Sequence, residues 1–265
     1  MTTEEIDKEL SDAFRALDYD DYDMIFGHSV RPMLPFTNTI VAKRPATWEH
    51  GNMLFVRRNT RIPVPQPRYV IGRWLLMDRI EGQSLDRTWE TLSLFMQFRI
   101  ACTLRCYVKQ LHSFTSTLPG HDGIVSGDPF FCSEHGPFED ANRLRLFCEM
   151  VAFRGWRNLI RFPAYRDPPT VGGHEPWPLV FTHSDLHLGN VMLDTNNVLW
   201  LIDWAHAQFL PPWVDSIVMK LPNSFPRSWM RWTSFIAGPV PPRYNHMWKL
   251  AFSQFDSVDS TRDPL

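Results

Sequence analysis

Apolar positions at the start of the chain recur at helical spacing: Ile6, Leu10, Phe14 and Leu17 predict an amphipathic helix over residues 4–17. Residues 24–36 carry prolines, one glycine and no clear period, and no element is assigned to them. The β-branched run Thr39–Lys43 (TIVAK) predicts a short strand. Thr47 is then placed to cap a helix that carries Glu49, Met53 and Val56. That helix must stop before IPVPQP, residues 62–67, whose three alternating prolines force an extended connector. Tyr69–Met77 reads as strand, broken near Gly72, and Asp78–Gly82 follows as a polar link.

Beyond that link the period becomes helical. Leu92, Phe95, Ile100, Leu104, Val108 and Leu111 outline a long helix from about 91 to 114, and a second runs from about 139 to 162. A loop rich in Gly and Pro fills residues 119–137 between them. The apolar runs LVFTHSDLHLGNVML and VLWLID flank an Asn-rich turn at Asp194–Asn197 and predict a β-hairpin. The tail reads as helical and is rich in Trp and Pro, and no internal repeat stands out. The expected class is therefore α+β: a small strand-containing front lobe to about residue 77, a short hinge, and a mostly helical back lobe. A cleft between lobes is a usual place for a ligand.

Composition narrows the function classes more than the fold. With 265 residues, 44% apolar and 21% charged, the chain suits a soluble globular enzyme and is too apolar for disorder. A net charge of −2, with scattered Lys and Arg, gives nucleic acid no basic field to follow. No run of 18 apolar residues occurs, so no membrane span is expected, and the acidic start MTTEEIDKEL is the opposite of a secretory signal. The expected compartment is the cytoplasm. Four cysteines are too few and too spread for a disulfide framework. Cys102 and Cys106, one helical turn apart, are expected as buried apolar residues rather than metal ligands.

The residues that carry chemistry lie in His183-Ser-Asp185-Leu-His187-Leu-Gly-Asn190, followed thirteen positions later by Asp203. This spacing is H-x-D-x-x-x-x-N and then an Asp at the end of a hairpin strand. Phosphoryl transfer needs one carboxylate to accept or orient the proton of the attacking hydroxyl, which suits Asp185. Magnesium takes oxygen ligands, usually one or two carboxylates plus phosphate oxygens, which suits Asn190 and Asp203. Each residue alone would be an ordinary turn, loop or strand end; their joint spacing makes the site. His183 and His187, with Asp185 and His206, could also be read as a zinc site, but they sit on a loop that phosphoryl transfer explains better. His183 is expected to brace that loop. His121-Asp122-Gly123 reads as a turn, and neither a G-x-S-x-G elbow nor a G-x-x-x-x-G-K-[ST] loop is present.

FTHSDLHLGNVMLD and VLWLIDWAHAQFLPPWVD resemble the catalytic segment of the aminoglycoside phosphotransferase-like family, especially its fungal branch. EHGNMLFVRRNTRIPVPQP, LLMDRIEGQSLDRTWETLS and GPFEDANRLRLF resemble further parts of the same branch, so the likeness covers roughly residues 40–220. The resemblance implies a two-lobed protein-kinase-like fold, with a nucleotide-binding N-lobe over 1–80 and a helical C-lobe over 81–265 that carries the catalytic loop and substrate site. It implies a small-molecule kinase that uses ATP and Mg2+ to phosphorylate a hydroxyl. Asp185 would be the catalytic base, with Asn190 and Asp203 as magnesium ligands. Lys43 would pair with the nucleotide phosphates and Glu49 would hold Lys43. Met77 would border the adenine, the backbone of Asp78 to Ile80 would hydrogen-bond it, and His183 and His187 would support the loop.

Four features depart from the family pattern. Gly27 is the only glycine before residue 51, so the front lobe has no glycine-rich phosphate loop. Glu49 comes only six positions after Lys43, a tight span for a strand-to-helix turn that must aim both side chains inward. Ser184 stands where the family has Gly, and Ala205 where it has an acidic residue. The alternative reading is an inactive or repurposed kinase-fold protein, either a binder or a non-phosphorylating enzyme of secondary metabolism. In the tail, Asp215 is well separated from Asp256, Asp259 and Asp263, which favours a less charged, partly aromatic or apolar acceptor over a polycation.

Overall fold

A reciprocal capping box starts the first helix. Thr2 Oγ1 accepts the Glu5 amide at 3.2 Å while the Glu5 carboxylate accepts the Thr2 amide at 2.7 Å. Helix α1 (Thr3–Arg15) follows, with Glu4 and Glu5 in the first turn where the helix dipole favours negative charge. The structure is a computed structural model that describes residues 2–15, 33–44, 48–127, 131–160, 162, 167–169, 177–221 and 225–252. Leu17, Gly27, Thr47, Asp256, Asp259 and Asp263 lie outside these residues, as does the side chain of Phe14.

In chain order come β1 (Met33–Pro35), β2 (Ile40–Lys43), α2 (Glu49–Asn59), β3 (Pro67–Ile71), β4 (Trp74–Asp78), β5 (Gly82–Ser84), α3 (Leu85–Thr88) and α4 (Leu94–Leu111). Then follow β6 (Thr115–Ser116), β7 (Val125–Gly127), β8 (Phe131–His135), α5 (Ala141–Leu159), β9 (Leu179–Thr182), β10 (Val191–Asp194) and β11 (Leu199–Leu201). Last among the described residues come β12 (Gln208–Leu210), α6 (Trp213–Val218), α7 (Arg227–Ala237) and α8 (Pro242–Phe252). Among the described residues no helix is long and apolar enough to cross a membrane.

The chain forms two compact units. The first holds residues 1–92 and 188–207, and the second residues 93–187 and 208–265. In the first, an antiparallel sheet of order β1-β2-β4-β3 sets Lys43 opposite Met33 on one side and Leu75 on the other. Leu10, Leu34, Ala42, Trp74 and Leu76 form the core between α1 and this sheet. Strand β1 falls in the segment to which the sequence pattern assigned no element. It is an edge strand, where Pro35 interrupts no central ladder.

The second sheet of this unit, β11-β10-β5, joins the expected hairpin to a strand more than a hundred residues earlier. Gly82 is required there, because a Cβ would come within 2.5 Å of the Leu193 carbonyl. One carboxylate closes the hairpin turn. Asp194 Oδ1 accepts the amides of Asn196 and Val198, both at 2.8 Å, and Oδ2 accepts the Trp200 indole at 3.0 Å. These bonds hold the Asp194 carboxyl below the usual carboxylate range, with the Trp200 bond the largest cause.

In the second unit, Ser93 caps α4 by accepting the Met96 amide, and Asp140 caps α5 by accepting the Arg143 amide at 2.8 Å. A sheet of order β12-β9-β6 lies beside a core drawn from α5, α6 and α8, with Leu144, Val151, Trp213, Ile217 and Trp248 among its members. Two expectations are corrected. The Gly/Pro-rich stretch 119–137 is not all loop: β7 and β8 pair as an irregular hairpin inside it. Nor is the Cys102/Cys106 pair buried, since α4 turns Gln97, Ile100, Ala101, Leu104, Val108 and Leu111 inward. Cys102 is left half-buried on its flank and Cys106 exposed, both as free thiols.

Candidate active site

Within the first unit, the Lys43 ammonium lies between two carboxylates, 2.9 Å from Glu49 Oε1 and 2.7 Å from Asp203 Oδ1. Lys43 and Glu49 are 3% and 1% exposed, so the pair is shielded from solvent. Burial pulls the Lys43 pKa down. The charges of Asp203 and Glu49, with their hydrogen bonds, outweigh that penalty and raise it above the ordinary lysine value. The six-residue span is not too tight, because α2 begins on Glu49 itself with Trp48 at the N-cap position. The Glu49 side chain leaves the first turn of the helix and reaches straight back to the strand end.

Asp203 lies two residues past the end of β11, not on the strand, and takes a left-handed backbone with φ of 59°. The Ile202 amide donates to the Asn190 carbonyl at 3.0 Å, which sets the backbones carrying Asn190 and Asp203 side by side. These two side chains offer a neutral and an anionic oxygen, a donor set that fits magnesium. Trp204 is fully buried and donates its indole N–H to the Leu201 carbonyl at 3.1 Å. Ala205 is also buried, so an acidic side chain in its place would have to be desolvated.

Met77 is buried in β4. The Asp78 carboxylate forms a two-point pair with Arg68, at 2.6 and 2.9 Å. The Asp78 amide donates to the Gln66 carbonyl at 3.0 Å and the Arg79 amide to the Thr39 carbonyl at 2.8 Å. Two of the three amides of Asp78–Ile80 are thus committed to neighbouring segments.

In the second unit, β9 delivers His183, fully buried, to the start of the catalytic-loop sequence. Ser184 follows with φ of 62°, which explains the family's glycine at this position. Its amide donates to Asp215 Oδ1 at 2.9 Å, and its hydroxyl lies 2.7 Å from Thr182 Oγ1. The other Asp215 oxygen lies 2.9 Å from His112 Nε2 on the residue that ends α4. The Asp185 side chain is about a third exposed (35%), with His187 Nε2 3.5 Å from its Oδ1, and the His187 ring lies 5.6 Å from that of Phe225. Among the described residues no group of three or more His, Cys, Asp or Glu could hold a metal, so the zinc reading finds no ligand set.

Sequence reasoning missed Asp215, His112 and Asn52 as parts of this arrangement. A signal for Asp215 was available: one carboxylate inside the apolar run WVDSIV must be paired if the helix is buried. His112 and Asn52 carried no such signal.

The lysine–glutamate pair on a strand and helix, the Asp beyond a hairpin and the H-x-D-x-x-x-x-N loop belong to a protein-kinase-like fold. Solved structures share it at low identity. Aminoglycoside phosphotransferase APH(4)-Ia is 12% identical with a TM-score of 0.51, over 91% of this chain and 90% of that one. APH(2″)-IIa, solved as a ternary complex with streptomycin and ATP, is 15% identical with a TM-score of 0.52, over 92% and 95%. Residues 38–238 match the phosphotransferase enzyme family, and the chain belongs to that family. No curated protein matches the chain.

Proposed function

We propose that this phosphotransferase moves the γ-phosphoryl group of ATP onto a hydroxyl of a small metabolite. The observation that carries the reading is Lys43 at the end of β2, buried between Glu49 at the start of α2 and Asp203 just beyond β11 in one ion cluster. An ammonium kept charged by two carboxylates is suited to hold nucleotide phosphates. Magnesium, when bound by Asn190 and Asp203, supplies charge neutralisation on the transferred phosphoryl group. Asp185 accepts the proton of the attacking hydroxyl onto its carboxylate, and His187 beside it helps fix the direction of that carboxylate. Ile80 offers a backbone amide to the base, with Met77 against its ring.

The acceptor carries a hydroxyl and little positive charge. Asp215 is the only carboxylate among the described residues of 208–252, and it is already committed to Ser184 and His112. Helices α6 to α8 therefore offer no carboxylate to the ammonium groups of a polycation.

ATP titrated into the protein by calorimetry, with and without magnesium and with Asp203→Ala alongside, tests the reading. Magnesium-dependent binding that the variant loses is the expected result. No binding at millimolar ATP would overturn it in favour of a kinase-fold protein that does not phosphorylate.

A further inference from the structure

Asn52 is 3% exposed on α2, where an apolar side chain would pack without the cost of burying an amide. Its Nδ2 donates two hydrogen bonds, to the Trp204 carbonyl at 2.9 Å and the Ala207 carbonyl at 2.7 Å. Both hydrogens of one nitrogen are thus spent on the two ends of a single turn, which also closes on itself through the Ala207 amide and the Trp204 carbonyl at 3.3 Å. Asp203 immediately precedes that turn, in a left-handed conformation that an L residue keeps only when its surroundings hold it there.

From this geometry we infer that Asn52 is a positioning residue for Asp203. Glu49 and Asn52 are three positions apart and share a face of α2. One helix therefore grips the strap 203–207 twice: in front through Glu49, Lys43 and the Asp203 carboxylate, and behind through Asn52 and the strap backbone. The grip fixes the direction of the Asp203 carboxylate before any ligand arrives. The inference rests on the reading of Asp203 as a magnesium ligand, where outer partners that orient a ligand set metal affinity.

Asn52→Asp keeps the shape of the side chain but replaces both donors with acceptors facing two carbonyls, and Asn52→Ser is too short to reach them. Hydrogen exchange on the unliganded proteins reads the strap directly. Faster exchange confined to the peptide 201–208, greater for Asn52→Asp than for Asn52→Ser, is expected, with α1 and the β2–β4 pair unchanged. Calorimetric ATP titrations at stepped magnesium read the coupling. Half-saturating magnesium should rise about tenfold or more, while ATP affinity at saturating magnesium stays within about twofold.

Asn52→Asp with wild-type exchange in 201–208 makes Asn52 a space-filler, and Asn52→Asp with wild-type magnesium dependence shows that it does not position Asp203; either result overturns the inference. Should that variant fail to fold, Asn52→Ser takes its place in both measurements, and a match to the wild type in either has the same meaning. Asp203→Ala separates the underlying reading from the inference. If it leaves the magnesium dependence intact, Asp203 is not the ligand and the metal half of the inference falls with it, while exchange in 201–208 still decides whether Asn52 holds the strap.

Discussion

The backbone amide of Ser184 donates to the fully buried carboxylate of Asp215 at 2.9 Å, one residue ahead of the proposed base Asp185. The carboxylate is shared with His112, so the end of α4, α6 and the start of the loop that carries Asp185 meet at one acceptor pair. Asp215→Ala leaves the Ser184 amide and the His112 ring, both on partly buried residues, without this partner. It should cost about 1–3 kcal/mol of stability for each donor left unsatisfied, read by urea denaturation, and should lower turnover by displacing Asp185.

Ser184 itself is held in the left-handed region, where an L residue is strained by about 1–2 kcal/mol and glycine is not. Ser184→Gly relieves that strain but loses the hydroxyl contact with Thr182. A net gain in unfolding free energy of up to about 1 kcal/mol is the expected outcome. A loss would mean the hydroxyl pair matters more than the backbone.

Lys43 links stability to alkaline pH. Its folded pKa is raised above that of the unfolded chain, so its contribution is fully present below the unfolded value near 10.5 and is lost as pH rises through the folded one. Lys43→Met leaves two carboxylates facing each other and should cost about 3–5 kcal/mol at neutral pH. Melting curves of both proteins should keep a constant gap up to about pH 10 and converge above it.

Asp194 acts at the other end of the scale. Its folded pKa is depressed, so its contribution is present above the unfolded carboxylate value and is lost as pH falls through the lower folded one. Asp194→Ala should lower the melting temperature at pH 7, and the gap to the wild type should close in acid. A gap that persists at the lowest pH would assign the turn's stability to something other than the ionised carboxylate.

Asp185→Ala should reduce turnover by about 10²- to 10⁴-fold, the usual range for a lost general base, with little change in stability because the side chain is partly exposed. Full activity in this variant would remove Asp185 from the reaction.

What the sequence revealed follows from how local each signal was. The strand ending in Lys43, the helix carrying Glu49 and the hairpin around Asp194 announce themselves within a few residues, through β-branched runs, proline punctuation and turn chemistry. The pairing of β5 with β10 does not, because Gly82 and Asp194 meet from distant segments and neither strand has a long pattern of its own. Strand β1 escaped because it is three residues long and ends in proline, and β7 and β8 because glycine and proline dominate the stretch around them. In the candidate site, Asp185, Asn190 and Asp203 were legible through their spacing. Asn52 was not, since an Asn on a helix looks solvated until the strap across from it is seen.

The first compact unit is split in sequence, its last part being residues 188–207. A ribosome delivers the chain from the N-terminus, so the strand with Lys43 and the helix with Glu49 emerge long before Asp203 does. During that interval the lysine–glutamate pair lacks its third charge, Asn52 lacks its two carbonyls, and β5 lacks β10. A nascent chain halted anywhere before residue 188 therefore presents an unfinished front unit, and its completion must wait for ninety-five intervening residues that belong to the other.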